Sequence, residues 1–169
     1  DVDDEVLTVA RRNLRLCTEE GLEERKQEIE KMLAAFGKES HRMALDTVTK
    51  FQQRLGETVA QHPLDIHLFQ ADATHSDEIV RHLPGQPVDI VFADIPYNQH
   101  SAWRISRPLE NPSQAPVWHL LKAIIPILHE PSIVAIAADK AQKIAHESYR
   151  RVERFQVGKR EIMFLQRVV

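Results

Sequence analysis

The stretch Val88-Asp89-Ile90-Val91-Phe92-Ala93-Asp94-Ile95-Pro96-Tyr97 decides the fold. Its first six residues form a near-continuous apolar run, the pattern of a strand buried on both faces of a parallel sheet. Pro96 fixes its own φ and holds Ile95 extended, so the chain leaving the strand is stiff. A stiff loop at a strand's carboxyl end can aim the Asp94 carboxylate and the Ile95 carbonyl at one point, with Tyr97 offering a flat face beside them. Taken alone, Asp-x-Pro-Tyr reads as a strand-ending turn with a half-buried tyrosine, because motifs this short match by accident. Its surroundings give it meaning.

Upstream, Asp65 to Gln70 alternates as a strand and closes in the loop Ala71-Asp72-Ala73. A short helix is expected from Ser76 or Asp77 to Leu83, then a turn over Pro84-Gly85-Gln86-Pro87. Downstream come a proline-rich loop over 95–116, a helix from Val117 to Leu128 and a second buried strand from Ser132 to Ala138. A short helix is expected over Lys140 to His146, then strands over 149–156 and 159–167 joined at Gly158. This rhythm predicts a doubly wound parallel sheet, whose ligands sit at the carboxyl ends of its strands. Three loops qualify, each opening on an acid: Asp1-Val2-Asp3, Asp72-Ala73, and Asp94 to Asn98.

Ahead of this frame the chain reads as helices. Asp3 or Asp4 caps the first, with Val6, Val9, Ala10, Asn13, Leu14 and Cys17 on one face. Gly21 marks a stop and restart. Leu22 to Phe36 follows with Ile29, Leu33 and Phe36 inward, and Gly37 breaks it. Ser40 can cap a third helix, whose Ala44, Val48, Phe51 and Leu55 repeat at helical spacing until Gly56. No strand separates the second helix from the third, so residues 21–58 read as a helical insertion in an α/β frame.

With 169 residues the chain has room for one domain. At 43% hydrophobic and 28% charged residues it has a soluble globular composition, which excludes a disordered chain. The most apolar stretch, Ile124 to Ala138, is broken by Pro126, His129, Glu130 and Pro131 and does not reach membrane-spanning length. No secretory leader is evident, and the single cysteine, Cys17, fits a core position in a reducing compartment. A cytoplasmic protein is therefore expected. A net charge of −3 excludes coating nucleic acid by charge alone. The basic residues of the last thirty positions, Lys140 to Arg167, suit either RNA or DNA contact or a solvated surface. The nine histidines show no metal-ligand spacing, so no metal is expected.

At the Asp94 loop, the carboxylate and carbonyl are the parts that orient a planar amine or ring N–H. They accept its hydrogen bond and turn its lone pair toward an electrophilic methyl group. Asp72 is placed to accept from an adenine amino group, and Asp1 to take both hydroxyls of a ribose. Three acids so placed indicate a nucleoside-containing cofactor. They do not separate NAD from S-adenosylmethionine, since the five glycines never occur as G-x-G; the proline-tyrosine step favours the methyl donor. In the long loop, Trp103, Arg104 and Arg107 suit stacking on a flipped or single-stranded nucleotide, or simply packing the loop down.

The sequence also resembles the avilamycin-resistance group of ribosomal RNA guanine methyltransferases. The matching stretches are Asp1-Val2-Asp3 with Ala10-Arg11-Arg12-Asn13-Leu14, Glu20-Gly21-Leu22, and Phe36-Gly37-Lys38-Glu39-Ser40. They continue with Ala71-Asp72-Ala73, Asp89 to Tyr97, Trp103, Asp139-Lys140 to Lys143-Ile144, and Val157-Gly158-Lys159-Arg160. The resemblance implies a Rossmann-like class I methyltransferase sheet with a C-terminal β-hairpin and a two-helix insertion. It implies a S-adenosyl-L-methionine-dependent enzyme acting on a guanine base of 23S ribosomal RNA, without metal. Asp1 and Val2 would hold the donor's ribose, Asp72 and Ala73 would lie near its adenine, and Asp94 would also contact the donor. Asp94, Ile95, Pro96 and Tyr97 would line the methyl-transfer site, and Tyr97, Asn98, Trp103 and Arg104 would meet the RNA. The alternatives are a DNA or RNA amino-methyltransferase of other specificity and a catalytically inactive RNA-binding domain.

Three departures stand out. Asn98 replaces the family's glycine after the tyrosine, and Ile95 replaces the first of the two prolines in the widespread amino-methyltransferase motif. The family also carries a strand and a glycine-rich loop ahead of the acid at Asp1, and neither is in this sequence. That strand would lie at the sheet's centre, between the strand ending at Asp1 and the one ending at Ala93. Residues 1–169 are thus expected to be one methyltransferase domain that is incomplete at its start and belongs to a longer polypeptide.

Overall fold

The computed structural model describes residues 1–61, 65–83, 85, 87–96 and 102–168. Their structure groups into two units, one of Asp3–Phe69 and one of Asp1–Val2 with Gln70–Val169. In the first unit, Asp3 caps the helix Asp4–Leu14 (α1), its carboxylate accepting the Glu5 N–H at 2.9 Å. Leu7 is the buried residue of α1, with Ala10, Leu14 and Cys17 half-buried along the same stripe. Val6 and Val9, expected inward, are exposed, as is Asn13. They precede the stripe by one residue, about 100° around the helix.

The second helix, Glu19–Phe36 (α2), starts earlier than expected because the Thr18 hydroxyl caps it, accepting the Gly21 N–H at 3.1 Å. Gly21 sits inside the first turn and is not a break. A Cβ there would fall 1.9 Å from the Arg15 carbonyl oxygen, so this close approach requires glycine. α2 ends where expected, at Gly37 in the left-handed conformation (φ 59°). The helix Glu39–Gln61 (α3) begins at Glu39 and runs through Gly56, the expected stop. An interior glycine costs a helix about 1 kcal/mol relative to alanine but does not end it. α2 and α3 close on Leu22, Ile29 and Val48, with Ala44 and Leu55 partly buried beside them. Leu33 is half-buried, while Phe36 and Phe51 are exposed. Phe36 is the last helical residue, and Phe51 edges the groove between the two helices.

The second unit carries the sheet. Val88–Asp94 (β1) pairs in parallel with Leu128–Asp139 (β2), placing Ala93 opposite Ile136 and Asp94 opposite Ala137. From β2 outward the pairing is antiparallel, through Arg160–Arg167 (β4) to Tyr149–Val157 (β3), giving the order β1-β2-β4-β3. Gly158 (φ 62°) makes the tight turn of the C-terminal hairpin. Two helices, Ser76–His82 (α4) and Pro116–Ile124 (α5), supply Ile79, Val117, Leu120, Leu121 and Ile124 to a core with Val134, Ile136, Met163 and Leu165. β2 begins four residues earlier than the sequence pattern indicates. Ser132, fully buried, accommodates the register shift between Val88 and Ile90: its hydroxyl donates to the Val88 carbonyl (2.7 Å) and accepts the His129 N–H (2.8 Å).

Three expectations fail here for physical reasons. β1 is covered on one face only: Val91 and Ala93 pack on the core, whereas Ile90 and Phe92 are 69% and 66% exposed. Among the described residues β1 is an edge strand, and Phe155 and Val157 on the same face of the sheet are exposed as well. Residues 65–70 form no strand: they join no sheet among the described residues, and the neighbouring Ala71 N–H, donating to the Asp1 carbonyl at 3.1 Å, does not by itself make a ladder. Lys140 to His146 is a turn and not a helix. The Asp139 carboxylate accepts the Ala141 N–H at 2.8 Å and its carbonyl accepts the Gln142 N–H at 2.9 Å, an Asx-type closure that competes with helix formation. Of the expected turn after Leu83, Pro84 and Gln86 lie outside the described residues. Among the described residues, no helix is long and apolar enough to cross a membrane.

Candidate functional site at the carboxyl ends of the strands

Asp94 closes β1, and the ladder continues one residue further: the Ile95 N–H donates to the Ala137 carbonyl at 3.0 Å. The Ile95 side chain is buried in the main core. The next carbonyl, that of Pro96, accepts from the Gln142 side-chain amide at 2.9 Å, while the Gln142 oxygen takes the Asp139 N–H at 3.0 Å. The loop is therefore fixed by apolar burial beneath Ile95 and by hydrogen bonds to two neighbouring segments. Alternation along the strand turns Asp94 to the exposed side, where no described residue pairs with its carboxylate. No described donor takes the Ile95 carbonyl either. Two acceptors are thus held in place without a partner among the described residues. Tyr97 and Asn98 lie outside the described residues.

Asp72 is in the opposite condition. It is 2% exposed and its carboxylate is fully engaged. One oxygen accepts the Thr74 N–H (2.9 Å) and hydroxyl (2.6 Å), and the other accepts the Ser106 N–H (2.6 Å) and hydroxyl (2.9 Å). The Asp72 N–H donates in turn to Glu78 at 2.7 Å. Burial pushes this carboxyl up, but the hydrogen bonds from Thr74 and Ser106 outweigh it and hold it below the ordinary aspartate range. Ala73, beside it, is exposed, and its N–H has no partner among the described residues.

Asp1 and Val2 lie against this loop. The Asp1 carbonyl takes the Ala71 N–H at 3.1 Å, and the Val2 carbonyl takes the Gln70 side-chain amide at 2.9 Å. Trp103 is half-buried and packs on the main core, while Arg104 is exposed. Further along the loop, Arg107 pairs with Asp77, the Arg107 carbonyl lies 3.3 Å from His75 Nε2, and the buried His119 reaches the Asn111 carbonyl at 2.9 Å. The structure thus forms two groups. One joins Asp1, Val2, Asp72 and Ala73 to the 103–107 segment; the other joins Asp94, Ile95 and Pro96 to Ala137 and Gln142. They share the core on which Ile95 and Trp103 pack.

Gln142, Ser106, Thr74 and Glu78 did not emerge from the sequence. Asp72-x-Thr74 carries a usable signal, since an aspartate two residues before a threonine N–H is an Asx-turn pattern. Ser106 and Gln142 carry none, because their partners lie 34 and 46 residues away. Among the described residues, no group of three or more His, Cys, Asp or Glu is placed to hold a metal ion.

The family model for rRNA methyltransferase AviRa matches residues 1–160. The chain belongs to that family. A relative, the 23S rRNA (guanine(2535)-N(1))-methyltransferase of Streptomyces viridochromogenes, is 27% identical over 165 residues, which is 98% of this chain and 63% of the relative. Two solved structures of rRNA methyltransferase AviRa from Streptomyces viridochromogenes, at 2.4 Å and 1.5 Å, match with TM-scores of 0.73 and 0.74 and identities of 27% and 26%. Each alignment covers 98% of this chain and 64% of the other. The chain therefore has the Rossmann-like AviRa methyltransferase fold and spans just under two thirds of the length of the relatives it matches.

Proposed function

We propose that this AviRa-family chain works as a S-adenosyl-L-methionine-dependent methyltransferase on a guanine base of 23S ribosomal RNA. The observation that carries the reading is the Asp94–Pro96 loop, which holds a carboxylate and a carbonyl without partners among the described residues at the carboxyl end of β1. Asp94 and the Ile95 carbonyl accept hydrogen bonds from the guanine edge and orient the nitrogen that attacks. Pro96 keeps the loop stiff, and Tyr97 stacks on the base. The donor, when bound, supplies an electrophilic methyl on a sulfonium. Proximity and orientation then provide much of the acceleration.

The residues fit this donor in part. Asp1 and Val2, beside Ala71, are the candidates for its ribose. At the Asp72–Ala73 loop the adenine meets the open Ala73 N–H, because the Asp72 oxygens are already filled. Asn98, Trp103 and Arg104 lie along the loop assigned to the RNA. Residues 1–169 act in this reading as one methyltransferase domain with a helical insertion over 21–58, working in the cytoplasm where ribosomal RNA is found.

The test is to map methylated nucleotides in 23S rRNA with and without the gene, and with an Asp94→Ala variant shown to fold. Losing one transition-state hydrogen-bonding group is expected to slow methylation by about 100-fold or more. Unchanged methylation by Asp94→Ala would remove the catalytic assignment. Binding of rRNA by the full-length protein with no calorimetric binding of S-adenosylmethionine would replace the enzyme with a binding module, and methylation of duplex DNA in preference to rRNA would change the substrate.

A further inference from the structure

We propose that Asp72 is a positioning residue: its carboxylate bolts the Trp103–Arg107 segment to the turn at Asp72–Thr74 and so fixes the wall against which the substrate RNA is held. The word substrate rests on the function proposed above; the bolt does not. A carboxylate offers about four acceptor sites, and here four donors fill them, two main-chain N–H groups and two hydroxyls. Nothing is left for the amino group of an adenine, the role that position alone suggests for an acid after a strand. A carboxylate this buried is costly unless it is bonded on all sides, and the bonds to a charged group are the strong ones.

Half of those bonds go to Ser106, which is 34 residues away. Ser106 is exposed and belongs to a segment without helix or strand, so burial alone gives it little reason to hold one position. The start of α4, just after that turn, grips the segment again at the next residue, through the Arg107–Asp77 ion pair and the approach of His75 Nε2 to the Arg107 carbonyl. On the other side, Trp103 is seated on the core. Arg104 lies between these two anchorages. Its backbone is held on both flanks while its side chain stays on the surface.

Hydrogen exchange and kinetics on the full-length protein carrying Asp72→Asn or Ser106→Ala test the proposal. Asp72→Asn keeps the shape but turns an NH₂ toward a main-chain N–H that cannot reverse its role. Amides of residues 102–109 are expected to exchange about tenfold faster, the scale of one lost charge-assisted hydrogen bond, with β2 unchanged. The KM for rRNA should rise about tenfold by the same reckoning, with kcat and the dissociation constant for S-adenosylmethionine within about twofold. Ser106→Ala keeps the main-chain bond and should show a smaller effect in the same direction; lying at an exposed position, it serves if Asp72→Asn does not fold. Unchanged exchange at 102–109 in Ser106→Ala and in a folded Asp72→Asn overturns the bolt. Weakened S-adenosylmethionine binding with unchanged exchange makes Asp72 a cofactor ligand instead. If the protein methylates no RNA, the proposed function fails while the exchange result still decides the bolt.

Discussion

The side-chain amide of Gln142 donates to the carbonyl oxygen of Pro96 at 2.9 Å, tying the turn after β2 to the loop after β1. Gln142→Ala removes this tie and the acceptor for the Asp139 N–H. The expected loss is about 1 kcal/mol of stability and about tenfold in single-turnover methylation. Gln142→Glu separates the two effects, because it retains the acceptor but has no donor for Pro96. Its stability should lie nearer the parent while the rate stays low. A rate equal to the parent's would show that the loop holds its place without Gln142.

Ser132 is fully buried between two main-chain partners, donating to Val88 and accepting from His129. Ser132→Ala strands a carbonyl and an N–H where the β1–β2 register shifts. A loss of about 1–3 kcal/mol is expected in urea unfolding. A change below about 0.5 kcal/mol, the range of ordinary surface substitutions, would mean that the bulge closes in another way.

The two helical glycines should respond oppositely to alanine. At Gly21 a Cβ meets the Arg15 carbonyl carbon and oxygen, so the junction of α1 and α2 must shift, and about 2 kcal/mol or more is expected to be lost. At Gly56, inside α3, a Cβ meets nothing within 4 Å, and Gly56→Ala should gain about 0.5–1 kcal/mol. Circular dichroism melts of the two variants check both signs.

Stability should fall in two acidic steps. Burial holds the His146 imidazole below its ordinary value; Glu147 pulls it up less strongly, and Lys122 adds to the lowering. The native state therefore keeps this histidine neutral while the unfolded chain takes up a proton, so stability declines as pH drops below about 6.5 and through the lowered native value. His146→Phe should flatten that slope, although it also loses the 3.0 Å bond from the Ser148 N–H to Nδ1. Asp72, whose native value is lowered, stabilises above the ordinary aspartate pKa of about 3.9 and stops doing so as pH falls through its native value. Melting temperatures measured against pH should resolve the two steps, and Asp72→Asn should reduce the lower one.

The sequence made the strand–helix framework legible because β1, β2, α5 and the C-terminal hairpin each carry their own periodicity and turn residues. It also led to the loop at Asp94, since Pro96 constrains its neighbours within the chain. What it concealed depends on partners far away in sequence. Residues 65–70 alternate like a strand yet join no sheet among the described residues, and Lys140 to His146 lacks a helix because Asp139 closes a turn first. The sequence puts Asp72 at a strand end; the fold forms no strand there, and only the fold shows its oxygens committed to Thr74 and Ser106. Acidity at a strand end identifies where a ligand can sit; it does not reveal whether the acid still has a free acceptor.

The bare face of the sheet has a practical consequence. Ile90, Phe92, Phe155 and Val157 meet water there, and among the described residues β1 offers an unpaired edge beside them. An apolar surface next to an open strand edge invites pairing between copies and capture by chaperones. Prepared as residues 1–169 and nothing more, the polypeptide should be prone to precipitate on concentration, and an acidic or lysine replacement at Phe92 should keep it dispersed without disturbing the core on the other side.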